Sequence, residues 1–338
     1  MAALHDRSSQ HRSRLLRRSG GFAVVVLMSG CAGEQSALNP AGREAEWIAD
    51  LFWWMAGGAV VVWLGMVALT VYALRGGKSA NPKWFIIGGG AIFPTVVLAV
   101  LLVYGLAMLP PLIAPAPPGS LKIAVTGEQW WWRVRYQPAG EQEVVLANEI
   151  RLPVNEPVEF ELDSPDVIHS FWIPSIGGKM DMIPGRKTRL TLNPTRTGTF
   201  RGQCAEYCGT SHALMAFYVV VMEKAEFARW LEQQRAPAAP AAATAQLEMR
   251  GRDAFFTNGC AACHAIRGTE ANGVVGPDLT HVGSRVSLGA GILPNETSAF
   301  RRWIEHTDKV KPAVLMPHWN MLPPEELDAL AAYLESLK

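Results

Sequence analysis

Gly202-Gln-Cys-Ala-Glu-Tyr-Cys-Gly-Thr-Ser-His-Ala-Leu-Met215 crowds four metal-binding side chains into one short stretch. The donors run Cys204-x3-Cys208-x3-His212-x2-Met215, and His169 stands upstream in Asp166-Val-Ile-His169-Ser-Phe-Trp172. Thiolate and thioether are soft donors that suit copper, and imidazole suits it too. One cysteine with two histidines and a methionine would describe a single-copper site. The second cysteine supplies a second thiolate, enough to bridge a pair of copper ions. A charge shared over two metals changes geometry little on reduction, which favours electron transfer and leaves no ligand position open for hydrolysis. A Cys204–Cys208 disulfide is the alternative in an oxidising compartment, but it leaves His169, His212 and Met215 unexplained. A two-Cys, two-His zinc site gives Met215 no role. Core burial accounts for single residues and not for the spacing.

Around this stretch, from about residue 113 to Met222, apolar residues recur with period two, as in Leu121-Lys-Ile-Ala-Val and Thr188-Arg-Leu-Thr-Leu. Pro153-Val-Asn-Glu-Pro and Pro184-Gly punctuate them, which predicts a small β-sandwich or barrel. Glu223–Gln234 reads as a helix. Residues 235–246 are nearly all Ala and Pro, a semi-rigid linker that reaches on the order of 30 Å when extended.

Beyond the linker, 247–338 reads as a small helical domain with helices at its start, near Glu296–Thr307 and at Pro324–Leu337. Cys260-Ala-Ala-Cys263-His264 is the attachment pattern of c-type heme. Two thiols add to the heme vinyl groups, and the histidine reaches the iron from one face. A redox-active cysteine pair would need a βαβ context, which the pattern lacks. Lys311-Pro-Ala-Val-Leu-Met316-Pro resembles the methionine loop of class I cytochromes c, so Met316 is the expected sixth ligand, with Met321, His318 and His281 as competitors. Gly276-Pro277-Asp-Leu279 resembles the strip that packs the heme edge, which makes Pro277 and Leu279 wall residues. Phe256 and Tyr333 read as core.

Towards the N-terminus, Leu51–Leu74 and Phe85–Met108 carry no charged residue. Each exceeds the ~20 residues that cross a ~30 Å hydrocarbon core. Trp47, Trp53, Trp54 and Trp84 stand near their ends, where indoles prefer the interface. Arg75, Lys78 and Lys83 in the connecting turn place it in the cytoplasm and both chain ends outside. Pro94 predicts a bend in the second span, and Pro110, Pro111, Pro115, Pro117 and Pro118 predict its end. Residues 1–30 read as an export signal, with Arg12, Arg14, Arg17 and Arg18 before the short apolar run Phe22–Met28. Ser29-Gly30-Cys31 resembles a lipoprotein cleavage box with Cys31 as the lipid-bearing residue, although Met28 stands where Leu is usual. An ordinary cleaved signal is the alternative. The 31 basic and 30 acidic residues leave a net charge of +1, so no uniform field points to nucleic acid.

Two spans, the motif Gln129-Trp130-Trp131-Trp132, His169-Ser-Phe-Trp172 and the copper loop together resemble subunit II of heme–copper cytochrome c oxidases over about residues 40–225. The heme motif after the linker is similar to the heme-c-fused, caa-type branch. The expected architecture is multi-domain: signal 1–30, a two-helix transmembrane hairpin within 31–112, an all-β cupredoxin-like domain at 113–234, the linker, and an all-α class I cytochrome c domain at 247–338.

The resemblance implies that Cys204 and Cys208 bridge a dinuclear copper centre. His212 and the backbone oxygen of Glu206 would complete one copper, and His169 and Met215 the other. It also implies that the Glu206 side chain reaches a magnesium ion at the boundary with subunit I, and that Trp130 is where electrons enter the copper pair. Three consecutive tryptophans make exposure of at least one expected. Implied partners are subunits I and III, membrane lipid, and cytochrome c or a quinol–cytochrome c reductase as donor, in a bacterial plasma membrane. Oxygen would be reduced in subunit I. Many relatives carry a glutamate near the start of the second span that admits protons, where Ile87 stands here. A membrane-anchored electron carrier outside any oxidase is the competing reading.

Overall fold

The computed structural model describes residues 32–77, 81–137, 143–238 and 245–338. The signal at 1–30, Cys31, Lys78 of the turn and linker residues 239–244 lie outside the described residues.

Helices α1 (Arg43–Leu74) and α2 (Pro82–Ile113) are both long and apolar enough to cross a membrane, and none of their apolar windows is buried against protein. A helix satisfies its own backbone groups, so it can expose such a surface to lipid. Within α2, π-helical turns occupy Phe85–Ile92, immediately before Pro94. The ring and missing N–H of Pro94 disturb the hydrogen-bond ladder there. Pro110 and Pro111 do not end the helix as their sequence suggests; it continues to Ile113. Both sit in the last turn: each removes one i→i−4 bond, and only two residues follow Pro111 before the helix stops. Pro115 sets the end, because the residue before a proline is driven out of the helical region. Ala114 is accordingly extended (ψ 144°).

The β-domain is a sandwich of two five-stranded sheets, one ordered β3 (Val144–Ala147), β2, β1, β5 (Val158–Asp163), β8 (Thr188–Leu192), the other β4, β10, β9, β6, β7 (Met180–Met182). The strands that matter for the site are β1 (Leu121–Glu128), β2 (Trp131–Tyr136), β4 (Glu149–Pro153), β6 (His169–Trp172), β9 (Gly198–Cys204) and β10 (Ala216–Met222). Alternation buries Ile123 and Val125 from β1, and Trp132, Val134 and Tyr136 from β2. Phe171 stacks on Phe217 at 4.9 Å, and Trp132 meets both rings edge-on at 5.8 and 5.1 Å. This aromatic cluster lies directly behind the copper loop and fixes the ends of β6, β9 and β10.

The first span is anchored to the sandwich before it leaves for the membrane. Ala41 N–H donates to Ser175 O at 2.6 Å, and Thr195 N–H to Ala41 O at 2.8 Å. The buried carboxylate of Glu44 accepts from the backbone and side-chain amides of Asn193.

Helix α3 (Lys224–Arg235) covers the sandwich with Phe227, Trp230 and Leu231. The C-terminal domain is built on α4 (Gln246–Thr257), α5 (Thr297–Glu305), α6 (Thr307–Val310) and α7 (Pro324–Ser336). Its core holds Phe255, Ile304, Leu330 and Tyr333, with Phe256 packed at the margin. The described start of the linker is pinned rather than free. Ala238 N–H donates to Arg267 O at 2.9 Å, and the His281 ring bonds Ala236 O at 3.0 Å.

Candidate copper centre and heme pocket

Strand β6 delivers His169, strand β9 ends on Cys204, and the loop that leads into β10 supplies the remaining donors. Cys204 Sγ and Cys208 Sγ stand 3.7 Å apart. Around Cys204 lie His169 Nδ1 at 3.8 Å and the Glu206 carbonyl oxygen at 3.1 Å. Around Cys208 lie His212 Nδ1 at 3.5 Å and Met215 Sδ at 3.8 Å. All the donors anticipated from sequence therefore converge on one pair of sulfurs, as reduced thiols rather than a disulfide.

The electrostatics fit a cation pair. The Cys208 thiol and the nearby donors hold Cys204 down at about 3, while the charge on Cys204 and burial push Cys208 well above the ordinary thiol range. Two thiolates this close repel, so without positive charge the pair keeps one proton. Metal cations permit both to ionise.

A residue not foreseen from sequence orients the site. Asp166 Oδ1 lies 3.0 Å from His169 Nε2. A carboxylate there accepts a hydrogen bond from Nε2–H and leaves the Nδ1 lone pair facing Cys204, as outer-shell carboxylates do for metal-binding imidazoles. Burial works to raise the Asp166 carboxyl, but the amides of Val167 and Gln129 and the His169 ring outweigh it and hold the group below its usual range. Gly127 presses on the other side of the ring; a Cβ there would stand 3.0 Å from Cδ2 of His169. The Asp166-Val-Ile-His169 spacing was the only local trace of this pairing.

None of the three tryptophans is exposed, contrary to expectation. Trp132 is core, Trp131 lies under the Arg133 guanidinium at 4.6 Å, and Trp130 is 7 % exposed. Trp130 Nε1–H donates to Cys208 O at 2.9 Å, and Gln129 Nε2–H to the same oxygen at 2.7 Å. Trp130 is shut in because the C-terminal domain sits against it. Lys311 Nζ donates to Trp130 O at 2.6 Å, and Ser211 Oγ–H to Pro312 O at 2.5 Å. The Glu206 side chain and Tyr207 stay exposed on the remaining open side of the loop.

In the C-terminal domain Cys260, His264, Leu279 and Met316 line one apolar pocket with Phe255, Ile304, Trp319, Leu330 and Leu334. His264 Nδ1 is 2.8 Å from Pro277 O. A carbonyl only accepts, so Nδ1 carries the proton and Nε2 is the free donor. Burial lowers the His264 pKa, which keeps the ring neutral as iron binding requires. Gly276 lets the backbone lie against this ring, 2.6 Å from Cε1 for a Cβ built there. Of the competing sixth ligands, Met321 is 67 % exposed, His318 is on the surface, and His281 turns to the linker. A soft thioether, a neutral imidazole and the Cys260 thiol on an apolar wall, with Cys263 exposed beside it, suit a covalently attached heme. Trp319, Ile304, Leu330 and Leu334 are not singled out by the sequence: the last three follow ordinary helix-core spacing, and Trp319 stands in a loop outside any motif.

Comparison with known proteins gives the same two parts. Residues 137–223 match the family described as "Cytochrome C oxidase subunit II, periplasmic domain", and residues 248–338 match "Cytochrome c". Cytochrome c oxidase subunit 2 of Alkalihalophilus pseudofirmus is 34 % identical over 335 residues, 93 % of this chain and 95 % of that one. The subunit 2 of Bacillus sp. (strain PS3) is 34 % identical over 229 residues, 65 % of this chain and 63 % of that one. Among solved structures, the periplasmic domain of subunit II of the Bradyrhizobium japonicum cytochrome oxidase is 36 % identical, covers 36 % of this chain and 97 % of that one, and superposes with a TM-score of 0.33. The chain belongs to the cytochrome c oxidase subunit II family, as a member that continues into a cytochrome c domain, and so is part of an oxidoreductase complex.

Proposed function

We propose that this subunit passes electrons from an external donor through heme c to a dinuclear copper centre and on to subunit I, where oxygen is reduced to water with proton translocation. Cys260 and Cys263 would hold the heme covalently, and His264 and Met316 would be the donors offered to its iron. Pro277 O keeps His264 in the tautomer that offers Nε2. Cys204 and Cys208 would supply the shared thiolates of a copper pair, with His169, Met215, His212 and the Glu206 carbonyl oxygen as its further donors. A bound heme c and copper pair supply reversible one-electron storage; the chain supplies position, charge compensation and exclusion of water.

The contact of the C-terminal domain with Trp130 and Ser211 carries the reading. Trp130 joins the Lys311 side to Cys208 O by a single hydrogen bond, so it is the residue through which electrons enter the copper pair. The exposed Glu206 side chain and Tyr207 mark the face offered to subunit I, where Glu206 takes part in magnesium binding. The two spans sit in the bacterial plasma membrane with both termini and both redox domains outside, Cys31 carries the lipid, and subunit III completes the assembly. The donor is a cytochrome c or a quinol–cytochrome c reductase.

Purification from native membranes tests this. The chain should co-purify with a subunit that carries a-type heme, with a copper pair and a single heme c for each copy of this chain beyond the metals of subunit I. Isolation without such a subunit would support an independent membrane-anchored carrier.

A further inference from the structure

Lys311 is 1 % exposed, an unusual place for an ammonium unless it is paired. Its partners here are two backbone carbonyls, one from each redox domain: Trp130 O at 2.6 Å and Gly289 O at 3.0 Å. Among the described residues no carboxylate bonds it, so the ammonium is held by carbonyls on the two sides of the junction. Burial pushes its ammonium down to about 7, with the Cys208 sulfur working against the drop.

The Gly289 carbonyl belongs to a turn with its own constraint. Gly289, Ala290 and Gly291 are three consecutive residues in the left-handed region, at φ 64°, 68° and 78°. Glycine takes that conformation freely, whereas alanine is strained in it. Strain of this kind persists where the surroundings over-determine it. The surroundings are the copper loop: Ala216 N–H, next to Met215, donates to Ala290 O at 3.1 Å. A Cβ on Gly291 would sit 3.2 Å from that of Ala216. Pro312 O accepts from Ser211, and Val314 packs on the sandwich core. At the far end of the same junction, Val286 N–H donates to the Glu149 carboxylate.

We propose that Lys311 and the Gly289-Ala290-Gly291 turn form a built-in latch that seats the heme domain on the copper loop at Trp130, making Lys311 a positioning residue for internal electron transfer. The inference rests on the reading that heme c feeds the copper pair. It adds that the face around Trp130 is reserved for the chain's own heme domain, so outside donors reduce the heme and not the copper. The linker alone would supply only a raised local concentration; the latch supplies one orientation.

Lys311→Met in the assembled oxidase keeps the apolar stem and removes the ammonium. Electrons are placed on heme c by a fast photoreductant, and their arrival at copper is followed optically. The rate should fall about tenfold, the scale of a lost charge-assisted hydrogen bond in a docking equilibrium. The heme α band and the copper EPR line shape should stay as in the parent, while relaxation enhancement of the copper signal by oxidised heme should weaken. Glu149→Gln, which weakens the bond to Val286 N–H at the far end of the junction and also removes the carboxylate beside Arg151, should lower the rate by about threefold with weakened relaxation, and decides the matter if the Lys311 variant does not assemble. A Lys311→Met rate within about twofold of the parent, with unchanged relaxation, would overturn the latch. A parent enzyme whose copper is reduced while heme c stays oxidised would instead overturn the underlying electron path.

Discussion

In the copper loop every donor atom lies within 3.8 Å of a cysteine sulfur, whereas the heme pocket sets the Cys260 sulfur, an imidazole and a thioether around an apolar wall. The first site is held by strands. Strands β6 and β9 pair at Phe171↔Cys204, and the aromatic cluster behind them fixes both ends. The second is held by loops between helices and relies on the bound group to fill its centre. Both sites nevertheless use the same local device, a glycine pressed against a ligating imidazole with an oxygen on the far nitrogen: Gly127, His169 and Asp166 in one, Gly276, His264 and Pro277 in the other. A carboxylate suits the cationic pair and a neutral carbonyl suits the ring that must stay uncharged in a buried pocket. The difference predicts that damage to one site leaves the other spectroscopically intact.

The sharpest way to break the comparison is Cys208→Ser. Loss of a bridging thiolate should abolish the mixed-valence copper EPR signal and lower oxygen consumption by more than about 100-fold, since even outer-shell changes cost 10–100-fold. The heme c band should remain. An unchanged copper spectrum would refute the bridge. Met316→Ala is the counterpart on the other side: the heme stays attached through Cys260 and Cys263, the methionine-to-iron band disappears, and the copper signal persists. Survival of that band would move the sixth ligand to Met321 or His318.

Support behind the sites ranks next. Phe217→Ala removes the ring between Trp132 and Phe171 and should destabilise the β-domain by about 3–5 kcal/mol, read by thermal unfolding of the complex with the heme domain melting separately. Asp166→Asn should weaken copper retention about 10–100-fold in a chelator competition while leaving the heme potential in place. Glu44→Gln should cost about 1 kcal/mol by weakening the bonds to Asn193, visible in the same melting curve and in neither spectrum.

What sequence makes legible follows the range of the interactions involved. The copper loop and Cys260-Ala-Ala-Cys263-His264 are short because the chemistry needs their donors close together, so local spacing reveals them. The spans are equally plain, since lipid demands an uninterrupted apolar run. The junction between the domains leaves no such trace. Lys311 meets Trp130 across 181 positions, Glu44 meets Asn193 across 149, and nothing about a lysine before a proline says that it is buried. The same holds for Trp130, whose expected exposure is removed by a domain further along the chain. The end of α2 differs from the expectation because Pro110 and Pro111 each remove a single bond without breaking the last turn, whereas Pro115 acts through the residue before it.

The central claim is that heme c and the copper pair of one chain form an internal relay across the Lys311–Trp130 junction. Flash reduction of heme c in the purified oxidase, repeated over a wide range of protein concentrations, measures it directly. The account predicts a first-order appearance of reduced copper whose rate does not change with concentration and rises no further when a soluble cytochrome c is added. A copper reduction rate that scales with the concentration of oxidase or of the added cytochrome would contradict it.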